Sequence, residues 1–492
     1  MADRKEGSKR FLYEFLAEDI RLKIRQQVFK PGEKLPSVRE MHKVTNKSIT
    51  TVSKAYILLE SMGLIFARDR SGYYVRAKNH YQMEKPEKSK LNLAPKLIQR
   101  SGIVEEVLDS LGDASKVQLG VAHISSRLFP FSQYTKILKN LTSKEVRKAI
   151  VFDKPEGLLK LRQQISLKYM GLMSTIGPED IIITNGCTEA LVICLMVFLK
   201  RGDTVAIEVP SFYGIFTILE NMGVFVLEIP TCPEQGVDFD ALKKAVDSKE
   251  INCCILNSNF HNPLGSLMSD NKKKKIVRLL NDHCIPLIED DIYSELYYEK
   301  QRPLPLKYFD TKDLVVTCSS FSKTLAPGLR VGWVIPGKKF RKEILKIKSG
   351  MSISTSTLDQ FVLAKFIETG LYDKHLRRFR NILRKQLHLV VKAIDKYFPK
   401  GFRMVIPKGG FLLWIQLPRG VNSVTLYREL LSENIVILPG PVCSSSQGFE
   451  EYIRLSCGSL FDGEMENALK TIGQHIKSGM KNRRNIKFNE NK

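Results

Sequence analysis

Residues 319–333 read SSFSKTLAPGLRVGW, directly after the apolar run Leu314-Val315-Val316. Such a run predicts a strand buried on both faces, as in a parallel-rich α/β sheet. The stretch holds one lysine, Lys323, close behind Ser320 and Ser322, with a second cation at Arg330. Lysines are ordinarily solvated surface charges. One held out of bulk water beside another cation has its pKa lowered, and its free amine can form a Schiff base with an aldehyde. Ligands on these sheets sit beyond the C-terminal strand ends, so the residues after every similar run are where chemistry is expected.

Four further runs precede it: Ile181-Ile182-Ile183, Val205-Ala206-Ile207, Cys253-Cys254-Ile255-Leu256 and Pro286-Leu287-Ile288. After the first comes Thr184-Asn185-Gly186-Cys187-Thr188-Glu189, a small-residue turn opening a helix; free N–H groups there suit a phosphate, though an ordinary strand-to-helix loop reads the same way. After the second, Pro210-Ser211-Phe212-Tyr213 offers an aromatic face for stacking, or simply for core packing. After the third, Asn262 sits in His261-Asn262-Pro263-Leu264-Gly265 as an amide donor in a turn that Pro263 alone would also explain. After the fourth come Glu289-Asp290-Asp291-Ile292-Tyr293, three carboxylates that are costly at a buried strand end unless paired, hydrogen-bonded or protonated. An aldehyde that needs a phosphate cradle, an aromatic stacker, a carboxylate for a ring nitrogen and donors for a phenolic oxygen is pyridoxal 5′-phosphate. Its protonated ring is an electron sink for a carbanion at a substrate's Cα.

At 492 residues the chain can bury more than one core, and its formal net charge of +25 makes a polyanionic partner plausible. The longest apolar run, residues 190–199, is far short of the roughly 20 residues a membrane span needs, and the opening MADRKEGSKR has no apolar signal segment. A cytoplasmic protein with no membrane partner is expected. The nine cysteines form no metal-spaced set, and several lie in apolar runs as small core residues of a reducing compartment; no metal is expected.

Residues 1–78 hold 17 basic and 9 acidic side chains. Apolar spacing predicts helices over 13–27, 38–44 and 49–62, the last capped by Ser48 and ended by Gly63, followed by two apolar segments around a basic turn with Gly72. Two helices and a tight turn, then a β-wing, predict a helix-turn-helix whose second helix enters a major groove; a small helical interaction domain is the alternative. The polar, proline-punctuated stretch after it reads as a linker, assigned to 79–117. The large α/β domain is placed at 118–475, and the basic tail at 476–492 is expected to be disordered.

The strings PGEKLPSVREM, SITTVSKAYILLESMGLI and SGYYV resemble the winged-helix domain of the GntR family over almost its whole length. The resemblance implies a winged helix-turn-helix (α+β) in which Arg39, Ser48, Thr50 and Thr51 meet phosphates or base edges of a double-stranded operator, with the wing at Ser71 and Gly72 on the backbone or minor groove. Ile49 and Ser53 stand where family members often carry arginine.

The order of strand-end motifs over residues 118–475 resembles the class I aminotransferases of fold type I, with PKGGFLLWIQLP and ILPGPV matching a smaller C-terminal α/β subdomain. The resemblance implies that Lys323 forms the internal aldimine and Asp290 pairs with the pyridinium nitrogen. Tyr293 and Asn262 would hold the phenolic oxygen, and Phe212 would stack on the ring. Ser320, Ser322 and Arg330 would bind phosphate with the backbone of Gly186, Cys187 and Thr188. Arg454 in YIRLSCG matches the arginine that clamps a substrate α-carboxylate, a planar bidentate task. Leu264 replaces the usual threonine of its loop, and Phe152 stands where many relatives have a tyrosine reaching the neighbouring subunit's cofactor phosphate.

Together the two halves resemble the MocR-type transcriptional regulators. That resemblance implies a homodimer and an amine or amino-acid effector sensed through an external aldimine, with DNA binding changed only if the effector binds two arrangements unequally. An active aminotransferase with an accessory DNA-binding domain is the competing expectation, and a DNA-binding scaffold with a dead pocket is a third.

Overall fold

The computed structural model describes residues 11–30, 32–61, 64–68, 71–75, 83–88, 94–98, 102–113, 115–173, 176–446 and 448–490, with side chains to 480. The chain divides into a unit ending at Gln82 and a second beginning at Met83.

In the first unit, α1 (Leu12–Arg25), α2 (Val38–Thr45) and α3 (Ile49–Ser61) precede β1 (Ile65–Arg68) and β2 (Gly72–Val75). Val52, Ala55, Tyr56 and Leu59, spaced along one face of α3, are fully buried against Leu16, Ala17, Ile20 and Ile24 of α1. Ser37 and Glu40 cap α2 reciprocally: Glu40 N–H donates to Ser37 Oγ (3.2 Å) and Ser37 N–H to Glu40 Oε2 (2.7 Å). Asn46, at φ 53°, ends that helix. β1 and β2 pair antiparallel, Ile65 opposite Val75 and Arg68 opposite Gly72, which forms the wing. The turn between them at 69–70 and the expected helix end at 62–63 lie outside the described residues.

In the second unit the strands are β3 (Lys96–Leu97), β4 (Val117–Gln118), β5 (Ile182–Thr184), β6 (Thr204–Val209), β7 (Phe225–Cys232), β8 (Gly236–Val237), β9 (Cys253–Leu256), β10 (Leu287–Asp290), β11 (Val315–Ser320) and β12 (Gly332–Ile335). The large sheet runs β3-β7-β6-β9-β10-β11-β12-β5, with β8 on β7. β7, β6, β9, β10 and β11 are mutually parallel, and β12 is antiparallel to both its neighbours. The uninterrupted apolar runs follow from burial on both faces. Cys253 and Ile255 pack with the helix Gly186–Phe198, while Cys254 and Leu256 face the helices Phe239–Asp247 and Asp270–Asp282. A second, antiparallel sheet joins β13 (Arg403–Met404), β14 (Leu412–Gln416), β16 (Leu438–Pro439) and β17 (Tyr452–Ser456), while β15 (Ile435–Val436) pairs with β4.

Two expectations are corrected. Residues 79–117 are not one linker: β3 joins the large sheet, helix α4 (Gly102–Leu111) is tied to Tyr427, whose hydroxyl donates to Glu106 O (3.1 Å), and Arg403 pairs with Glu84 (2.9 Å) and Glu87 (2.7 Å). Partners elsewhere in the chain override the polar local composition. The tail at 476–492 is likewise helical as far as described: the helix Gly463–Glu490 runs into it from buried Leu469, Ile472 and Ile476. Among the described residues no helix is long and apolar enough to cross a membrane.

Candidate functional site

Phe321 fixes the turn that presents Lys323. Its ring is buried against Trp333 and Tyr372 (centroids 4.9 and 5.6 Å), its N–H donates to Val331 O, and its carbonyl accepts from Leu325 N–H. Lys323 is thereby carried just beyond β11, half-buried, with Nζ donating to Ala122 O. Burial pulls its amine down to about 8; Arg454 and Arg330 act in the same direction, and Asp290 and Cys187 oppose them.

Asp290 ends the neighbouring β10, in register with Cys318. Its Oδ1 accepts from Ile292 N–H (3.3 Å) and from the Cys187 thiol (3.7 Å). Burial pushes the carboxyl up to about 6; Asp291 adds to that rise, while Ile292 N–H, Cys187 and Lys323 hold it down. The flanking carboxylates have other work. Glu289 accepts from Ser258, Thr317 and the Leu306 N–H, and Asp291 from Asn259, Ser294 and Arg302. Of the three acids, Asp290 is the one whose charge acts on the Lys323 amine.

Asn262 links two further site residues. Its Nδ2 lies 3.5 Å from the Tyr293 hydroxyl, and its Oδ1 accepts from Arg454 Nη1 at 2.9 Å. Arg454 is fully buried on β17; Nη2 donates to Gly120 O, and Nε has no partner. An unpartnered guanidinium N–H at full burial is suited to an incoming carboxylate. Phe212, Asn262 and Asp290 line one pocket together with Glu208 and Ser211.

The expected phosphate end lies at the start of the helix Gly186–Phe198, whose first N–H groups lack intrahelical partners. Gly186 has φ 80°, the left-handed conformation that favours glycine, and a Cβ there would displace the end of the Arg330 side chain, 2.6 Å away at Nη2. Arg330 donates to Asn185 O (3.2 Å), Ser320 Oγ accepts from Ser322 N–H (3.3 Å), and Thr188 is exposed on the helix's first turn. These residue types, a cation, two hydroxyls and a helix terminus, fit a phosphate monoester. Lys323 and Asp290 fit an aldehyde and a ring nitrogen. The arrangement thus accommodates pyridoxal 5′-phosphate.

Sequence reasoning missed Tyr213, whose ring lies 5.9 Å from the Arg454 guanidinium, and the carbonyls of Gly120 and Ala122. The tyrosine stands next to Phe212 in the quoted motif and was within reach of the same argument. Backbone acceptors leave no trace in residue type.

In the first unit, Arg39, Ser48 and Thr50 are exposed and Thr51 is half-buried. Ser48 Oγ accepts from Thr51 N–H (3.1 Å) and lies 2.8 Å from both threonine hydroxyls, so it caps α3 while facing solvent. Ile49 is 51% exposed at the tip of the same helix. Gly72 opens β2 at φ 105°.

Residues 129–472 match the family described as aminotransferase class I and II, and residues 12–75 match the bacterial regulatory proteins of the gntR family. The uncharacterized HTH-type transcriptional regulators YdcR and YjiR of Escherichia coli (strain K12) are 35% and 36% identical to the chain, covering 94% and 95% of it and 98% and 99% of their own lengths. Among solved structures, the α-aminoadipate aminotransferase LysN of Thermus thermophilus, complexed with N-(5′-phosphopyridoxyl)-L-leucine, superposes with a TM-score of 0.71 at 27% identity. That match covers 78% of this chain and 96% of LysN.

Proposed function

Since the chain belongs to the MocR-type transcriptional regulators, a GntR winged helix joined to a class I and II aminotransferase domain, we propose that it binds an operator in response to an amine or amino acid taken up at a pyridoxal 5′-phosphate site. The observation that carries this reading is the convergence of Lys323, Asp290, Arg330 and Arg454, each near enough to alter the lysine's proton affinity. Bound there, the cofactor supplies an aldehyde and an electron-withdrawing ring. Lys323 would hold the aldehyde carbon and Asp290 the ring proton, with Asn262 and Tyr293 donating to the phenolic oxygen and Phe212 covering one face. Ser320, Ser322, Arg330 and the N–H groups of Gly186, Cys187 and Thr188 would take the phosphate. Arg454 would orient an effector carboxylate.

Capture of the aldehyde requires the unprotonated amine. With Lys323 at about 8, about one amine in ten is free at pH 7. The fraction rises as pH passes through about 8, so uptake of pyridoxal 5′-phosphate by the apo protein should accelerate with pH and level off above that value. Stopped-flow absorbance checks this; uptake that slowed with rising pH would contradict it.

For DNA, exposed Arg39 at the second helix and the hydroxyls of Ser48, Thr50 and Thr51 support groove docking, and exposed Ile49 suits apolar contact with a thymine methyl. Operator affinity should fall steeply with salt, and Arg39→Ala should flatten the log–log slope by about 1. Fluorescence anisotropy against salt measures both. A homodimer is supported by the exposed apolar side chains Ile150, Val151 and Phe152, adjacent in sequence and 61–81% exposed. A DNA-binding role supports a cytoplasmic location. The reading is tested by titrating amines and amino acids against the holo protein while following the visible band and operator binding together. A ligand that changes the band and never the DNA affinity refutes sensing, and sustained keto-acid production would favour a working aminotransferase.

A further inference from the structure

Asn262 is the hub of the pocket, and the turn that carries it is built around His261. Gly265 N–H donates to His261 O (2.6 Å), His261 N–H donates to Ser266 O (3.1 Å), and Leu264 N–H lies 3.4 Å from the ring's Nδ1. With Nδ1 accepting, the imidazole proton sits on Nε2, which lies 3.4 Å from Glu208 Oε1. Glu208 lies at the end of β6, three residues before Ser211; its Oε1 accepts from Asn257 N–H, and it lines the same pocket as Asp290, Phe212 and Asn262. Glu208 and His261 are 1% and 0% exposed.

Plain packing does not account for this pair. His261 Nε2 and Asn257 Oδ1 are buried without an aligned hydrogen-bond partner, and Glu208 is a buried carboxyl held by the N–H groups of Asn257 and Val237, an arrangement that apolar residues of similar size would avoid. We propose that Glu208 and His261 are positioning residues: they fix the Asn262 turn against the Phe212 segment, and so set how the Asn262 amide is shared between the cofactor's phenolic oxygen, with Tyr293, and Arg454. The inference rests on the cofactor reading above. Burial pushes Glu208 up to about 8 and His261 down to about 3, so the pair carries no net charge at neutral pH. The charged and titratable groups facing Glu208 are Lys272, Asp290 and Cys254. An uncharged prop holds the turn without opposing the charge on Asp290.

The test uses the full chain loaded with pyridoxal 5′-phosphate and reads the pH midpoint of the bound cofactor's visible band, with Asn262→Ala as the benchmark. Glu208→Leu and His261→Leu should move the midpoint in the direction of Asn262→Ala by at least about half a unit, while Glu208→Gln and His261→Gln, which keep polar atoms in place, stay near wild type. If leucine prevents folding, Glu208→Asp, which withdraws the acid by one methylene, replaces it and should also shift the midpoint. Leucine or aspartate variants that titrate like wild type while Asn262→Ala shifts would overturn the proposal, as would glutamine variants that shift equally. A wild-type protein with no Lys323-dependent band would instead overturn the cofactor reading, and this inference with it.

Discussion

Lys323→Ala is expected to abolish the visible band of the bound cofactor at every pH and to leave nothing that borohydride can fix to the chain. The reason lies in the turn after β11. Phe321, wedged between Trp333 and Tyr372, points one amine at the pocket of Asp290 and Asn262, and its proton is loosened to about 8. Among the described residues, the other lysines with lowered proton affinity, Lys272, Lys273 and Lys348, are engaged elsewhere: Lys272 with Gln235 O, Lys273 with Asn259 and Leu304 O, and Lys348 near Ser352. None stands in for Lys323. Residual noncovalent binding through Arg330, Ser320 and the helix terminus should be reversible and lost on gel filtration. Peptide mapping after borohydride treatment reads the result; a labelled peptide in the alanine variant would refute the assignment.

The second large effect is at Arg454. Arg454→Leu should weaken carboxylate-bearing effectors by about 2–5 kcal/mol, roughly 30- to several-thousand-fold, because a desolvated bidentate charge pair is lost. Amines without a carboxylate should bind about as before. Arg454→Lys should recover little, since a point charge on a flexible stem neither reproduces the planar fork nor reaches Asn262 and Gly120 together. Spectral titration with matched amine and amino-acid pairs measures the difference. An equal loss for both classes would mean that Arg454 supports the fold rather than the carboxylate. Loss of its donors to Asn262 and Gly120 O makes a melting curve the necessary companion measurement.

The parallel core was legible because burial on both faces writes itself as continuous apolar runs, and Lys323 and Asp290 stand out as candidates because they are anomalous at strand ends. β12 was not, although it begins inside the opening motif: Gly332–Ile335 is short, and its antiparallel insertion between β11 and β5 depends on a partner some 150 residues earlier. β7 was hidden by Glu228 and Pro230, whose roles appear only in three dimensions, Glu228 accepting from Ser444, Ser445 and Ser446. The linker was misread for the same reason, since Glu84, Glu87 and Glu106 look solvated until Arg403 and Arg428 are brought to them.

One short piece of main chain joins the two large effects. Gly120 O holds Arg454 and Ala122 O holds Lys323, while Leu119 and Gly120 N–H both donate to Val436 O. A carboxylate that draws the guanidinium away and an aldehyde that draws the amine away therefore loosen the same three residues. Because both side chains hang on this one segment, their substitutions are expected not to add in melting temperature when combined in one variant.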